Sequence, residues 1–63
     1  MCLSNVYKNK VSLDNLIMKN VMNVEIKEGK IVLTDLMERK IVVEGSLQKA
    51  DLIENYILIK SEE

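Results

Sequence analysis

Short segments in which apolar and polar residues alternate recur along the chain, and polar residues separate them. In 21–28, Val24 and Ile26 alternate with Glu25 and Lys27, a period of two that is typical of a half-buried β-strand. The chain has no proline, two glycines and many β-branched residues, which favours strands over helices. We interpret the pattern as five or six strands within the segments 2–8, 11–18, 21–28, 30–34, 39–45, 47–53 and 56–60.

Residue types at the connections predict tight turns. Glu28-Gly29 has the acid–glycine composition of a two-residue hairpin, in which the glycine supplies a positive φ. Asparagine tolerates the left-handed conformation that a turn at Glu54-Asn55 requires. Further turns are predicted at Asn9-Lys10 and Lys19-Asn20, and residues 35–38 form another connection.

A helix over residues 12–20 is the alternative to the second strand. Ser12 would cap this helix, and Leu13, Leu16 and Ile17 would share one of its faces. A helix of nine residues is marginal without tertiary support, so we prefer the strand and keep the helix, in full or as a single turn, as the alternative.

Many short strands in 63 residues predict one domain over residues 1–63 with an all-β fold. We expect a small SH3-like β-barrel of five to six antiparallel strands, closed or partly closed, because closure removes exposed sheet edges. A chain this short buries only about 60% of its unfolded surface, so a lone core is marginally stable.

Three predicted strands carry apolar residues on both faces. In 31–33, Ile31 and Leu33 share one face and Val32 points to the other, and the segments 41–43 and 56–59 are similar. A half-buried strand alternates apolar with polar residues, and surplus apolar surface marks an interface. The pattern therefore predicts a homodimer with two-fold symmetry.

Composition excludes several classes of function. The chain has no histidine, which excludes Ser-His-Asp and Cys-His catalysis and His-ligated zinc, and we expect it not to be an enzyme. A net charge of −1 with two tyrosines and no Phe or Trp weighs against nucleic-acid binding.

Three features predict that the protein is cytoplasmic and has no membrane span. They are the single cysteine, a start without signal-peptide features and the lack of an apolar run of about 18 residues.

Cys2 is the main candidate for metal binding. The Met1 amine, the Cys2 amide nitrogen and the Cys2 sulfur can close two fused five-membered chelate rings on one metal, and removal of Met1 would leave a single ring. With the main chain of Leu3 on its other side, the thiolate offers nitrogen and sulfur donors that suit Ni(II) or Cu(II). The alternative is that this lone cysteine is a small buried hydrophobic residue.

Other polar and sulfur-containing residues have simpler interpretations. Core filling accounts for the methionines, and capping of backbone N–H groups accounts for the turn carboxylates. Interleaved acidic residues argue against a strong basic stripe. The methionines are Met1, Met18, Met22 and Met37, and the turn carboxylates are those of Asp35, Glu38 and Asp51. The lysines that could form the stripe are Lys8, Lys10, Lys19 and Lys27.

The order of several short motifs resembles the CooT family of small nickel-binding proteins over nearly the whole chain. The matching motifs are Met1-Cys2-Leu3-Ser4 with Val6, Asn20-Val21, Gly29, Val32-Leu33-Thr34-Asp35-Leu36, Gly45, and Asp51-Leu52 with Ile57-Leu58. Glu38 and Asn55 depart from the family pattern, since members often have glycine there.

The resemblance implies a cytoplasmic homodimer that binds nickel through Cys2 near its dimer axis and supports the nickel supply of carbon monoxide dehydrogenase. We therefore expect a nickel chaperone or store without catalysis. Two thiolates and two backbone nitrogens would then form a planar site shared by the dimer. The family has also been labelled RNA-binding, so the main rival is an RNA-binding module that uses the barrel face. A third candidate is a protein adaptor in which Cys2 is inert.

Overall fold

The computed structural model describes residues 3–61, which form a six-stranded sheet and one short 3-10 helix. The elements are β1 (Ser4–Lys8), the 3-10 helix (Leu13–Asn15), β2 (Leu16–Lys27), β3 (Lys30–Asp35), β4 (Lys40–Glu44), β5 (Ser46–Asp51) and β6 (Tyr56–Lys60). The strands lie in the order β4-β3-β2-β1-β6-β5. The prediction of an all-β fold with up to six strands is confirmed. Over residues 3–61, no helix has the length and apolar character needed to cross a membrane.

The sheet is mixed, which corrects the expectation that all of its strands are antiparallel. β1 and β6 run parallel, with Val6 opposite Ile57 and Lys8 opposite Ile59, whereas the other four strand pairs are antiparallel. Antiparallel neighbours are joined by hairpins, but parallel strands need a long connection. The first and last strands have the whole intervening chain as that connection, so sequence-local turn signals could not specify their direction.

The sheet is coiled but not closed into a barrel. β4 and β5 lie at its opposite edges, yet Gly45 alone connects them, so the two edges must meet at this residue. The Gly45 N–H donates to the Gly29 carbonyl at 3.0 Å, and a Cβ at Gly45 would overlap the Lys60 carbonyl oxygen. Within residues 3–61 no ladder pairs β4 with β5, so the edges are free away from this corner.

β2 is one strand of 12 residues, and the predicted turn at Lys19-Asn20 is wrong. Its first half pairs with β1, where Met18 lies opposite Val6, and its second half pairs with β3, where Val24 lies opposite Leu33. Asn20 has a φ of 55°, and the register shifts between Val21 and Asn23. The positive φ of Asn20 and the register shift after Val21 therefore bend a continuous strand instead of ending it.

The helical alternative is realised only as the 3-10 helix Leu13–Asn15. The Ser12 hydroxyl donates to Asn15 Oδ1 at 2.9 Å, and Asn15 Nδ2 donates to the Lys8 carbonyl at 2.7 Å. The second bond holds the turn against the end of β1. Leu16 and Ile17, which the helical interpretation placed on one face with Leu13, begin β2 instead.

The core lies on the concave face of the coiled sheet. Its buried members come from four strands and are Val6, Val21, Ile31, Leu33 and Ile59. The prediction that Ile31 and Leu33 share a face is confirmed, because both are 0% exposed. On β4, half-buried Ile41 and Val43 flank Val42, which is 61% exposed on the outer face, as the alternation also predicted.

Two of the predicted turns are confirmed by their backbone conformations. Glu28 and Gly29 join Lys27 to its partner Lys30 with φ values of 37° and 80°, the paired positive φ angles of a type I′ hairpin. Asn55 has a φ of 58° in the β5–β6 turn. Glu38 also has a positive φ, 66°, although its side chain does not favour that region.

Candidate functional site

The predicted metal ligands Met1 and Cys2 lie outside the described residues. Leu3, the third residue of the predicted site, is half-buried and directly precedes β1. The described part of the chain next to the predicted ligands is therefore the end of the sheet at which β1 begins. We call this end the N-terminal rim: Leu3, the bend of β2 at 20–22, the β3–β4 turn at 36–39 and the β5–β6 turn at 52–55.

The register of four neighbouring strands assembles the rim. Ser4 lies opposite Val21, which in turn lies opposite Asp35, so the start of β1 is level with the end of β3. On the other side, the Asn5 N–H donates to the Asn55 carbonyl at 3.1 Å. The chain thus enters β1 between the two turns of the rim.

The rim is rich in exposed apolar side chains. Met22, Leu36, Met37, Leu52 and Ile53 are 41%, 49%, 73%, 82% and 88% exposed, and they make up five of the ten large exposed apolar residues within 3–61. The sequence pattern did not reveal this surface, because it assigned residues 35–38 to a connection and Leu52-Ile53 to the strand segment 47–53, which in the structure ends at Asp51. The missed signal is two consecutive large apolar residues in each turn, Leu36-Met37 and Leu52-Ile53. Such a concentration marks a contact surface.

Asp35 organises the β3–β4 turn from a buried position, 3% exposed. Its Oδ1 accepts hydrogen bonds from the N–H groups of Met37 at 3.0 Å and Arg39 at 2.9 Å, and Arg39 Nε donates to Oδ2 at 2.9 Å. The hydrogen bond from the Arg39 N–H lowers the pKa of Asp35, against the opposing effect of burial. Sequence reasoning missed Arg39, whose role depends on the shape of the turn.

Asp51 plays a similar part in the β5–β6 turn. Its Oδ1 accepts from the N–H groups of Ile53 at 3.0 Å and Glu54 at 2.9 Å, and the bond from Glu54 lowers its pKa. The prediction that the carboxylates of Asp35 and Asp51 cap backbone N–H groups is confirmed. Between residues 3 and 61 no three Asp, Glu, Cys or His side chains are grouped so that they could hold a metal ion.

A groove of about 600 Å³ opens beside the β3–β4 turn. Ile17, Met18 and Ile41 supply its apolar wall, and Leu36 and Met37 lie at its border. Met18 packs against the core, as predicted, whereas Met22 and Met37 are exposed and do not fill the core. The thioethers at the rim therefore belong to its surface.

The lysines considered for a basic stripe are dispersed. Lys19 lies in the first half of β2 and Lys27 at its far end, whereas Lys8 ends β1 and Lys10 lies in the following loop. This arrangement agrees with the prediction that they form no strong stripe.

The two tyrosines contact each other on the outer face of β1 and β6. Their ring centroids are 6.3 Å apart in an edge-to-face arrangement. Lys49 Nζ lies 5.6 Å from the centroid of the Tyr56 ring, and the hydrogen bond with the Tyr56 hydroxyl raises the pKa of Lys49. Tyr7 and Tyr56 therefore already have partners within the chain.

Comparison with known proteins relates nearly the whole chain to one family. The family described as "CO dehydrogenase accessory protein CooT" matches residues 1–60. An uncharacterized protein of Methanocaldococcus jannaschii, MJ1551, is 40% identical over 60 residues, which cover 95% of this chain and 98% of the relative. The similarity includes the first two residues as well as both turns of the rim.

Proposed function

The chain belongs to the CooT family of CO dehydrogenase accessory proteins, and on that premise we propose that it is a nickel chaperone or store that binds Ni(II) through Cys2. The observation that carries the proposal is the position of the chain's single cysteine, one residue before Leu3 and two residues before the start of β1, within the region that matches the family. The role is delivery of an ion to an enzyme, and it requires no catalytic residue in this chain.

The donor set fits a planar, borderline-soft ion. A cysteine thiolate is a strong ligand for such ions, and the main-chain nitrogens beside it complete five-membered rings. Because the thiol must lose its proton to bind, metal affinity should fall as the solution is acidified. Asp35 and Asp51 are held by backbone N–H groups, which leaves Cys2 and its neighbouring nitrogens as the best donors at this end of the sheet.

The rim supports a role in contact with other proteins. Leu36 and Met37 on one side and Leu52 and Ile53 on the other flank the entry of the chain into β1. An apolar surface beside the metal ligand suits transfer, since a client enzyme that covers it would exclude water from the ion. We propose a cytoplasmic homodimer whose client is a nickel enzyme such as carbon monoxide dehydrogenase.

Nickel titration of the protein with an unextended Met1 start tests the proposal. Thiolate-to-nickel charge-transfer absorbance should saturate for the wild type and be absent for Cys2→Ser, while both keep the same circular dichroism spectrum. The end point distinguishes one ion per two chains, as in a site shared by two thiolates, from one ion per chain. Unchanged nickel affinity in Cys2→Ser would refute the site.

A second comparison tests the nitrogen donors. Residues added before Met1 convert its amine into an amide and should weaken nickel binding if the amine is a ligand. A matched extension after Glu63 controls for added length.

Purified carbon monoxide dehydrogenase lacking nickel tests the client. Nickel-loaded wild type should restore the activity of the enzyme faster than free Ni(II), and Cys2→Ser incubated with nickel in the same way should give no gain.

A further inference from the structure

The pairing of β1 with β2 is irregular close to the N-terminal rim. Val6 lies opposite Met18 and Ser4 opposite Val21, and between these two pairs β1 has one residue, Asn5, whereas β2 has two. Two residues opposite one is the arrangement of a β-bulge, in which the extra residue loses its regular ladder partner. The start of β1 therefore needs another contact to hold it against β2 at this point.

Asn5 divides its polar groups between the two neighbouring strands. Its backbone N–H donates to the Asn55 carbonyl at 3.1 Å, on the β6 side, where Asn5 lies opposite Tyr56. Because a strand residue directs its N–H and C=O to the same side, the backbone of Asn5 does not serve β2. Its side chain does so, since Asn5 Oδ1 accepts from the Asn20 N–H at 3.5 Å, a distance at the long end of the range for such bonds.

Asn20 carries this connection onward to the β3–β4 turn. Its φ is 55°, and its carbonyl accepts from the Leu36 N–H at 2.9 Å. On the other side of β1, Asn55 belongs to the β5–β6 turn and also has a left-handed φ, 58°. A continuous path of hydrogen bonds thus links the two turns of the rim across β1, and Asn5 is its central residue.

The position of Asn5 matters for metal binding because it is only three residues after Cys2. A chelate of one thiolate and neighbouring main-chain nitrogens fixes the backbone that carries these donors. Fixing one further residue lowers an affinity about 5- to 30-fold. A start of β1 that is already held on both sides leaves fewer residues for the metal to order.

We propose that Asn5 is a positioning residue for the nickel ligand Cys2, an inference that rests on the proposed function. Its side chain bridges the bulge and so holds the point at which β1 begins between the two turns. The proposal assigns Asn5 no contact with the ion, since it acts through the backbone of β1. An acceptor oxygen of the same reach is what the position requires, and among the other side chains aspartate provides one.

Nickel titration of two Asn5 variants, followed by thiolate-to-nickel charge-transfer absorbance, tests this role. Asn5→Ala removes the acceptor and should raise the nickel dissociation constant about 5- to 30-fold, with an unchanged circular dichroism spectrum. Asn5→Asp keeps an oxygen in place and should stay within about threefold of the wild type at an ionic strength of about 1 M, which screens its added charge.

Two variants of β2 serve as controls. Asn20→Gly keeps the N–H donor and suits the φ of 55°, so it should bind nickel as the wild type does. Asn23→Ala truncates an exposed asparagine that lies opposite Thr34 on the other side of β2, and it should also leave nickel affinity unchanged.

Amide hydrogen exchange of the metal-free proteins provides a readout that does not involve nickel. The Asn20 N–H should exchange faster in Asn5→Ala than in the wild type and in Asn5→Asp, whereas the Asn5 N–H keeps its bond to Asn55 and its rate. A merely structural role of Asn5 would lower the free energy of unfolding and leave the nickel affinity of the folded protein unchanged.

The outcomes separate this inference from the proposed function. If the wild type binds nickel and Asn5→Ala binds it equally well, or if Asn5→Asp is as weak as Asn5→Ala, the positioning role is overturned and the nickel site stands. Equal exchange rates of the Asn20 N–H in wild type and Asn5→Ala would also overturn it. A wild type that binds no nickel overturns both proposals.

Discussion

Arg39 binds Asp35 twice, through its backbone N–H to Oδ1 and through Nε to Oδ2, both at 2.9 Å. The carboxylate is buried, while the side chain of Arg39 is 75% exposed. Asp35 therefore ends β3 and fixes the start of β4 through one side chain. The turn that results also holds Leu36 and Met37 at the rim.

This arrangement predicts a contribution of Asp35 to stability that disappears in acid. The pKa of Asp35 is below its ordinary value of 3.8, so the folded state favours the ionised form more than the unfolded chain does. The contribution is fully present above that value and is lost as the pH falls through the lowered pKa of the folded state. Between about pH 5 and about pH 2, Asp35→Asn should lose less unfolding free energy than the wild type in urea denaturation.

Asp14→Asn is the matched control for this experiment, because Asp14 is an exposed residue of the 3-10 helix. It should follow the wild type over the same pH range. An Asp35→Asn protein with the wild-type slope would mean that the turn does not couple to folding. Asp51, whose pKa is also lowered, accounts for acid sensitivity that remains in Asp35→Asn.

Glu38 occupies the left-handed region with a φ of 66°, where an L side chain with a Cβ costs about 1–2 kcal/mol. Glu38→Gly should therefore stabilise the fold by about 0.5–1 kcal/mol after the greater flexibility of unfolded glycine is subtracted. Asn55→Gly is the comparison, since asparagine tolerates its φ of 58° and the gain should be close to zero. Equal gains at both positions in denaturant unfolding would contradict this reasoning.

The two glycines should respond very differently to alanine. Gly45→Ala places a methyl group on the Lys60 carbonyl at the corner where the sheet edges meet, and we expect a loss of more than about 3 kcal/mol. Gly29→Ala has open space around its new Cβ and should lose only the left-handed penalty of about 1–2 kcal/mol. Thermal unfolding of the pair measures the difference, and similar melting temperatures would show that the corner can relax.

Local patterns predicted the parts of the fold that depend on near neighbours. Alternation placed Ile31 and Leu33 on one face of a strand, which the structure buries, and turn chemistry located the Glu28-Gly29 hairpin. The parallel pairing of β1 with β6 could not be predicted in this way, because it joins residues about 50 positions apart and has no turn signal. The continuity of β2 through Asn20 depends on two different partner strands, which is also a non-local property.

The candidate site, like the fold, can be predicted only in part from local sequence. The donor chemistry of Cys2 is readable from the sequence, whereas the surroundings are not. Leu36-Met37 and Leu52-Ile53 form one rim only because β1 is inserted between the strands that precede their turns and because Asp35 and Asp51 hold both turns in shape. The alternating pattern places Leu52-Ile53 in a strand and residues 35–38 in a connection, so it assigns neither apolar pair a role in binding.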